Sequence, residues 1–166
     1  MSASRPLPSL EELRAAFVCD SENGKLSWRT PKRGRRPRLG FSDGHGYLRV
    51  NLGGRMYRIH RIIWKMTTGT DPVFEIDHIN GIKSDNRILN LRDATHTQNA
   101  RNKSIEKRNS TGLKGVTRSK APGRWTAAIR HEDKRLYLGS FGTPEEAHEA
   151  YWQKAQEIYG EFARRN

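Results

Sequence analysis

The stretch Glu75–Asn102, EIDHINGIKSDNRILNLRDATHTQNARN, decides how the rest of the chain is read. It opens on Asp77-His78, passes a loop signal at Asn80-Gly81 and Ser84-Asp85-Asn86, and closes on Gln98-Asn99. An imidazole can take a proton from water. A carboxylate and a carboxamide are hard oxygen donors that hold a divalent cation without neutralising it. Together they are the groups that a small metal-assisted phosphodiesterase needs. Phe74–Asp77 reads as a short strand, Asn90–Asp93 as the start of a second, and Thr95–Asn102 as a helix capped by Thr95 or Thr97. Asn99 then projects from the first turn of that helix, whose positive end also suits an anionic phosphate.

Composition narrows the partners. The 166 residues carry 31 Lys and Arg against 18 Asp and Glu, a net charge of +13. Such a surplus makes the compact state repel itself and points to a polyanion. Hydrophobic residues are 34% of the chain, so any single core is modest. The lone Cys19 excludes an intramolecular disulfide and a cysteine-cluster zinc site. No apolar run is long enough to span a bilayer, and MSASRPLPSL lacks a signal-peptide core. The expectation is an intracellular protein with no membrane partner and no obligate protein partner evident.

Upstream of the central stretch, Ser9-Leu10-Glu11-Glu12 fits a capping box and predicts a helix over Leu10–Phe17. Asn23-Gly24 marks a turn into Lys25-Leu26-Ser27-Trp28. Between Arg29 and Arg38 lie six basic residues and no acid, punctuated by Pro31, Gly34 and Pro37. This segment, with Arg33, Arg35 and Arg36, reads as an arm laid along phosphates. Tyr47–Leu52, Gly53-Gly54 and Arg55–Ile59 read as a hairpin, with Leu48, Val50 and Leu52 on one face. His60–Met66 reads as a short helix ending near Gly69. His60, with no acid beside it, is expected to be structural or to contact phosphate, and Arg61 to contact nucleic acid.

Downstream, Lys103–Gly112 has linker composition. Strands are expected from Gly115, over Arg124–Arg130 and over Leu136–Phe141. Alternation in the second puts Trp125, Ala127 and Ile129 on one side. Thr143-Pro144-Glu145-Glu146 starts a helix, and the stripe from Ala147 through Tyr151 and Ala155 to Phe162 lays it on the sheet.

The order Ile76-Asp77-His78-Ile79-Asn80-Gly81, Asp85-Asn86-Arg87, Asn90-Leu91-Arg92, Thr95 and Gln98-Asn99 resembles the HNH homing endonucleases of bacteriophages, the ββα-metal nucleases. The His-Arg pair at His60-Arg61 fits the same resemblance. It implies that His78 is the general base, that Asp77 and Asn99 hold one Mg²⁺ or Mn²⁺, and that Asn90 braces the loop orienting the imidazole. It also implies cleavage of duplex DNA to 5′-phosphate and 3′-hydroxyl ends, in the cytoplasm of a bacterial host and from a phage-encoded protein. The closing position is Asn99 where many relatives carry His.

The motifs Gly115-Val116, Trp125–Arg130, Tyr137–Phe141 and Thr143–Ala147 are similar to the plant ethylene-response-factor DNA-binding domain. That resemblance implies a sheet set in the major groove, with Lys114, Thr117, Arg130, Tyr137, Ser140 and Tyr151 at DNA-contact positions. Arg118 and Arg124 join them from charge and strand face. Several family arginines are replaced here by Thr117 and Ser119, so the base preference does not carry over.

The expected fold class is therefore α+β: a small ββα-metal HNH nuclease domain preceded by a β-hairpin and helix, then a three-stranded antiparallel sheet packed on one helix. The expected domains are 1–45 (helix, hairpin and basic arm), 46–102 (nuclease), 103–112 (linker) and 113–166 (DNA-binding module). A non-catalytic DNA-binding regulator is the competing reading; the joint presence of Asp77, His78 and Asn99 favours catalysis. An RNA-binding or ribosome-associated protein rests on charge alone.

Overall fold

A computed structural model describes residues 6–30, 39–105 and 109–165. They form two compact units that divide between His96 and Thr97. The arm residues Arg33, Arg35 and Arg36 lie outside the described residues.

The first unit begins with α1 (Leu10–Ala16), for which Ser9 and Glu12 form the expected capping box. Ser9 Oγ accepts from the Glu12 amide at 3.1 Å and Glu12 Oε2 from the Ser9 amide at 2.7 Å, satisfying two of the orphan donors at a helix start. The chain then enters β1 (Phe17–Asp20), paired antiparallel with β2 (Lys25–Trp28). Only the second of these strands is legible in the sequence, because Phe17 also continues the helical pattern. Its extended backbone, φ −127° and ψ 154°, ends the helix there.

A second sheet runs β3 (Phe41–Ser42), β4 (Leu48–Leu52) and β5 (Arg55–Arg58). α2 (Ile59–Thr68) follows and stops at Gly69, whose φ of 83° is left-handed. Val50 of β4 and Ile59, Ile62 and Ile63 of α2 are buried with Leu7, Leu13, Phe17, Ile76 and Leu91 in one apolar cluster. Each such side chain contributes about 1.5–3 kcal/mol by leaving water. Ile76 and Leu91 bring into that core the hairpin of β6 (Glu75–His78) and β7 (Leu91–Ala94), in which Asp77 faces Arg92 and His78 faces Leu91. The carboxylate of Asp93 accepts from the amides of Val73 and Phe74 at 2.7 and 2.9 Å and fixes the approach to β6.

In the second unit three antiparallel strands, β8 (Val116–Arg118), β9 (Trp125–His131) and β10 (Lys134–Phe141), are ordered β10-β9-β8. α4 (Pro144–Tyr159) has Thr143 as N-cap, Pro at its start and Glu146 closing a capping box. Val116, Ala127 and Ala147 form the buried core, with Trp125, Leu138, Phe141 and Ala150 packed on it. The short helix α3 (His96–Arg101) lies at the junction of the two units. Its end is held within the second: Lys114 Nζ donates to Arg101 O at 3.4 Å, Arg164 Nη1 donates to Asn102 O at 3.2 Å, and the Arg101 guanidinium lies 4.5 Å from the Tyr159 ring centre. Those bonds explain why the compact units part at His96/Thr97, ahead of the expected linker at 103–112.

Gly115 is the most crowded of the described glycines in this unit. Its φ is +73°, and a Cβ there would sit 2.0 Å from the Tyr151 ring. Gly115→Ala is expected to destabilise the unit by roughly 1–3 kcal/mol through overpacking alone, read as a lower urea midpoint at unchanged slope.

Candidate active site

His78 ends β6, where strand pairing fixes its backbone and the core beneath Ile76 fixes the strand. Its side chain is buried, 4% exposed. The ring Nε2 lies 3.1 Å from Asn86 Oδ1. An amide oxygen only accepts, so the proton sits on Nε2 and the basic lone pair of the neutral ring on Nδ1. Burial pushes the His78 pKa below the usual histidine range; the Asn86 bond and the Asp77 charge oppose this only in part. The imidazole is thereby kept in the form that can accept a proton.

Asp77 is 6% exposed, and its Oδ2 accepts from Arg92 Nε at 2.9 Å and Nη2 at 2.8 Å. Because the two residues are cross-strand partners, strand register alone brings the charges together. The guanidinium gives the buried carboxylate an opposite charge and two hydrogen bonds.

Asn90 ties the intervening loop. Its Oδ1 accepts from the Asn80 amide at 2.9 Å, its Nδ2 donates to Asp85 O at 2.7 Å, and its carbonyl accepts from the Ile79 amide at 2.9 Å. Asn80 Nδ2 in turn donates to Asp85 Oδ2 at 2.7 Å. Arg87, paired with Asp85, holds that carboxyl far below the usual carboxylate range.

Asn86 falls in the motif element Asp85-Asn86-Arg87, but the sequence assigns it no role. It is 2% exposed, and its Nδ2 has no hydrogen-bond partner among the described residues. The hairpin of β1 and β2 supports it from behind: Ile88 N donates to Ser21 O at 2.8 Å, and a Cβ on Gly24 would lie 2.5 Å from the Asn86 carbonyl carbon. His60 is also part of this neighbourhood. Its ring centre is 5.0 Å from that of His78 and 5.3 Å from that of Tyr47. At 2% exposure, with a buried Nδ1 that lacks a partner among the described residues, it is a packing residue rather than a phosphate contact.

Asp77, His78 and Asn90 thus lie together in the first unit. Asn99 lies half-buried on α3, in the second. Arg61 sits in the first turn of α2, and burial lowers its pKa. On the second unit's sheet, Thr117, Arg130 and Tyr137 are exposed on one face, Tyr137 at 66%. Arg124 Nη2 donates to Ser140 O at 2.6 Å, so these two positions are already joined. Arg118 is on the opposite face, its guanidinium 5.4 Å from the Trp125 ring centre. Lys114 is turned inward to the carbonyls of Arg101 and Arg164, and burial lowers its pKa to about 8. Tyr151 packs on Gly115.

Residues 57–101 match the HNH endonuclease family, a span running from Tyr57 on β5 to the end of α3. The chain is 32% identical over 108 residues to Protein 3.8 of Escherichia phage T7, covering 64% of this chain and 88% of that protein. It is 34% identical over 115 residues to the uncharacterised HNH endonuclease L560 of Acanthamoeba polyphaga mimivirus, covering 68% of this chain and 58% of that protein. It is also 34% identical over 128 residues to the AP2-like ethylene-responsive transcription factor AIL7 of Arabidopsis thaliana, covering 72% of this chain and 23% of that protein. The chain thus carries an HNH endonuclease domain over residues 57–101 and is a nuclease. HNH nucleases act on DNA and generally depend on a divalent metal. No helix among the described residues is long and apolar enough to cross a membrane.

The packing behind Asn86 generates a prediction. Gly24 has φ +64°, and an added Cβ would come within 2.4 Å of Arg87 N. Backbone at both places must shift to admit it, so Gly24→Ala should displace Asn86 and with it the imidazole. Cleavage should fall about 10²-fold, the usual consequence of misplacing a reacting group by an ångström, measured as plasmid nicking on protein that still shows a cooperative melt.

Proposed function

We propose that this nuclease is a phage-type, metal-dependent endonuclease of duplex DNA with a ββα-metal centre, leaving 5′-phosphate and 3′-hydroxyl ends. The observation that carries this reading is the His78–Asn86 contact beside the Asp77–Arg92 pair: a buried neutral imidazole of fixed tautomer next to a compensated carboxylate. His78 accepts the proton of the attacking water at Nδ1, Asn86 holds the ring, and Asn90 keeps the loop between them closed.

Asp77 and Asn99 are the residues that would hold one Mg²⁺ or Mn²⁺. Their oxygen donors suit a hard cation, and no cluster of three or more His, Cys, Asp or Glu among the described residues offers a zinc-like alternative. When bound, such an ion polarises a phosphate oxygen and stabilises the leaving 3′ oxygen. The carboxy-terminal sheet serves as an ethylene-response-factor-like module that holds duplex DNA through Thr117, Arg130 and Tyr137. The arm with Arg33, Arg35 and Arg36 adds phosphate contacts. A net charge of +13 supports both roles.

Plasmid nicking in Mg²⁺ tests the reading. His78→Ala is expected to lower the rate by about 10²–10⁴-fold, the usual contribution of a positioned general base. Asn99→Ala is expected to raise the Mg²⁺ concentration needed for half-maximal rate. Equal residual cleavage by wild type and both variants would remove the proposed chemistry.

The Asn86 side chain makes a separate prediction. Asn86→Leu removes the acceptor that His78 Nε2 meets, a loss that costs about 1–3 kcal/mol for a buried donor. The rate at saturating Mg²⁺ should fall while the Mg²⁺ requirement stays as in wild type. A raised Mg²⁺ requirement with an unchanged maximal rate would assign Asn86 to the metal instead.

A further inference from the structure

The first unit has a cleft of about 470 Å³ lined by Arg49, Arg55, Arg58 and Arg61, with Leu7 and Met56 among its apolar walls and no acidic residue among the described residues that line it. Asp43 pairs with Arg49 and Asp71 lies within electrostatic reach of Arg61, yet like charges still meet along the cleft. Arg49 and Arg58 are direct partners across β4 and β5, where like charges destabilise a sheet. Arg58 and Arg61 stand one turn apart at the start of α2, whose first turn holds no acid.

Two of the guanidiniums are also held in place. Arg49 Nη2 donates to Asp43 Oδ2 at 2.9 Å, and the Asp43 side chain is fully buried. The Arg58 guanidinium lies 4.3 Å from the Tyr47 ring centre. Cations gathered and oriented along one cleft suit an anion that binds several of them at once. Guanidinium forks match the paired oxygens of a phosphate, and apolar walls suit the sugar beside it.

The source of that phosphate follows from Tyr47. Its ring centre is 5.9 Å from that of His78, so the ring that carries Arg58 also borders the catalytic imidazole. Tyr47 thus lies between a lining arginine and the imidazole, an adjacency that serves a polymer touching both and not a free phosphate. We propose that the arginine cleft seats a backbone phosphodiester and its sugar of the duplex being cut, outside the reacting centre. This rests on the reading of the chain as a DNA endonuclease given above.

The test is duplex affinity by fluorescence anisotropy without divalent metal, across a salt series, for full-length wild type, R55Q/R61Q and R55K/R61K. The expected result is a log–log salt slope shallower by about 0.9 for each phosphate that the glutamine variant no longer neutralises. The lysine variant should keep the wild-type slope with weaker binding, since charge persists but the fork is gone. An unchanged slope in a folded glutamine variant overturns the proposal. Should that variant not fold, a folded lysine variant with wild-type affinity overturns it equally. Inorganic phosphate or a deoxynucleoside monophosphate that raises the Tm of wild type and not of R55Q/R61Q, with the DNA slope unchanged, also overturns it by making the cleft a small-phosphate site. Failure of wild type to nick DNA in Mg²⁺ removes the nuclease reading itself, and is thereby told apart from failure of the cleft alone.

Discussion

The hydrogen bond from His78 Nε2 to Asn86 Oδ1 is the constraint on which the rest of the first unit converges. A neutral imidazole offers one donor and one acceptor, and which nitrogen is basic depends on what the other one meets. Every surrounding element fixes one end of that bond. β6 and β7 place His78, and Asn90 closes the loop between the two partners. The β1–β2 hairpin presses Gly24 against the Asn86 backbone, and α2 supplies His60 as a wall. The amino-terminal helix and hairpin, distant in sequence from the motif, therefore act as its support. Their apolar residues Leu13 and Phe17 share one core with Ile76 and Leu91, so strand position and loop position derive from the same packing.

Burial and charge act in opposite directions here, and their balance gives the site its chemistry. Desolvation favours the uncharged imidazole, which is the form a base needs. At the same depth Arg92 bonds one oxygen of Asp77 through two of its nitrogens, so the buried charges form a pair. The two neighbours on one strand meet different cross-strand partners, an apolar Leu91 for His78 and a guanidinium for Asp77. Beyond the site the same excess of cations that burdens folding is useful against a polyanion, and the arginine-lined cleft gathers four of them.

Much of this is legible in the sequence where local chemistry decides the outcome. Ser9 and Glu12, and Thr143 and Glu146, form the capping boxes their spacing announces. The β4–β5 hairpin follows the alternation of Leu48, Val50 and Leu52, and Trp125, Ala127 and Ile129 face inward as period two requires. What stays hidden depends on contacts between distant segments. A helical pattern running through Phe17 masks β1. Asn86 resembles any polar loop residue, since nothing local says that its oxygen meets an imidazole. Lys114 and Arg118 carry the right charge for a DNA face. Yet Lys114 is drawn to the carbonyls of Arg101 and Arg164, and Arg118 to Trp125, neither visible in a linear pattern.

The tautomer of His78 tests the central claim most directly. Two-bond ¹⁵N–¹H correlation of the histidine side chains, with His78 assigned by the disappearance of its signal in His78→Ala, reports which ring nitrogen carries the proton. The structure predicts a protonated Nε2 and an unprotonated Nδ1 in wild type, with that preference abolished in Asn86→Leu. A wild-type signal from the Nδ1–H form, or one that Asn86→Leu leaves unaltered, would contradict the assignment of Asn86 as the residue that sets the base.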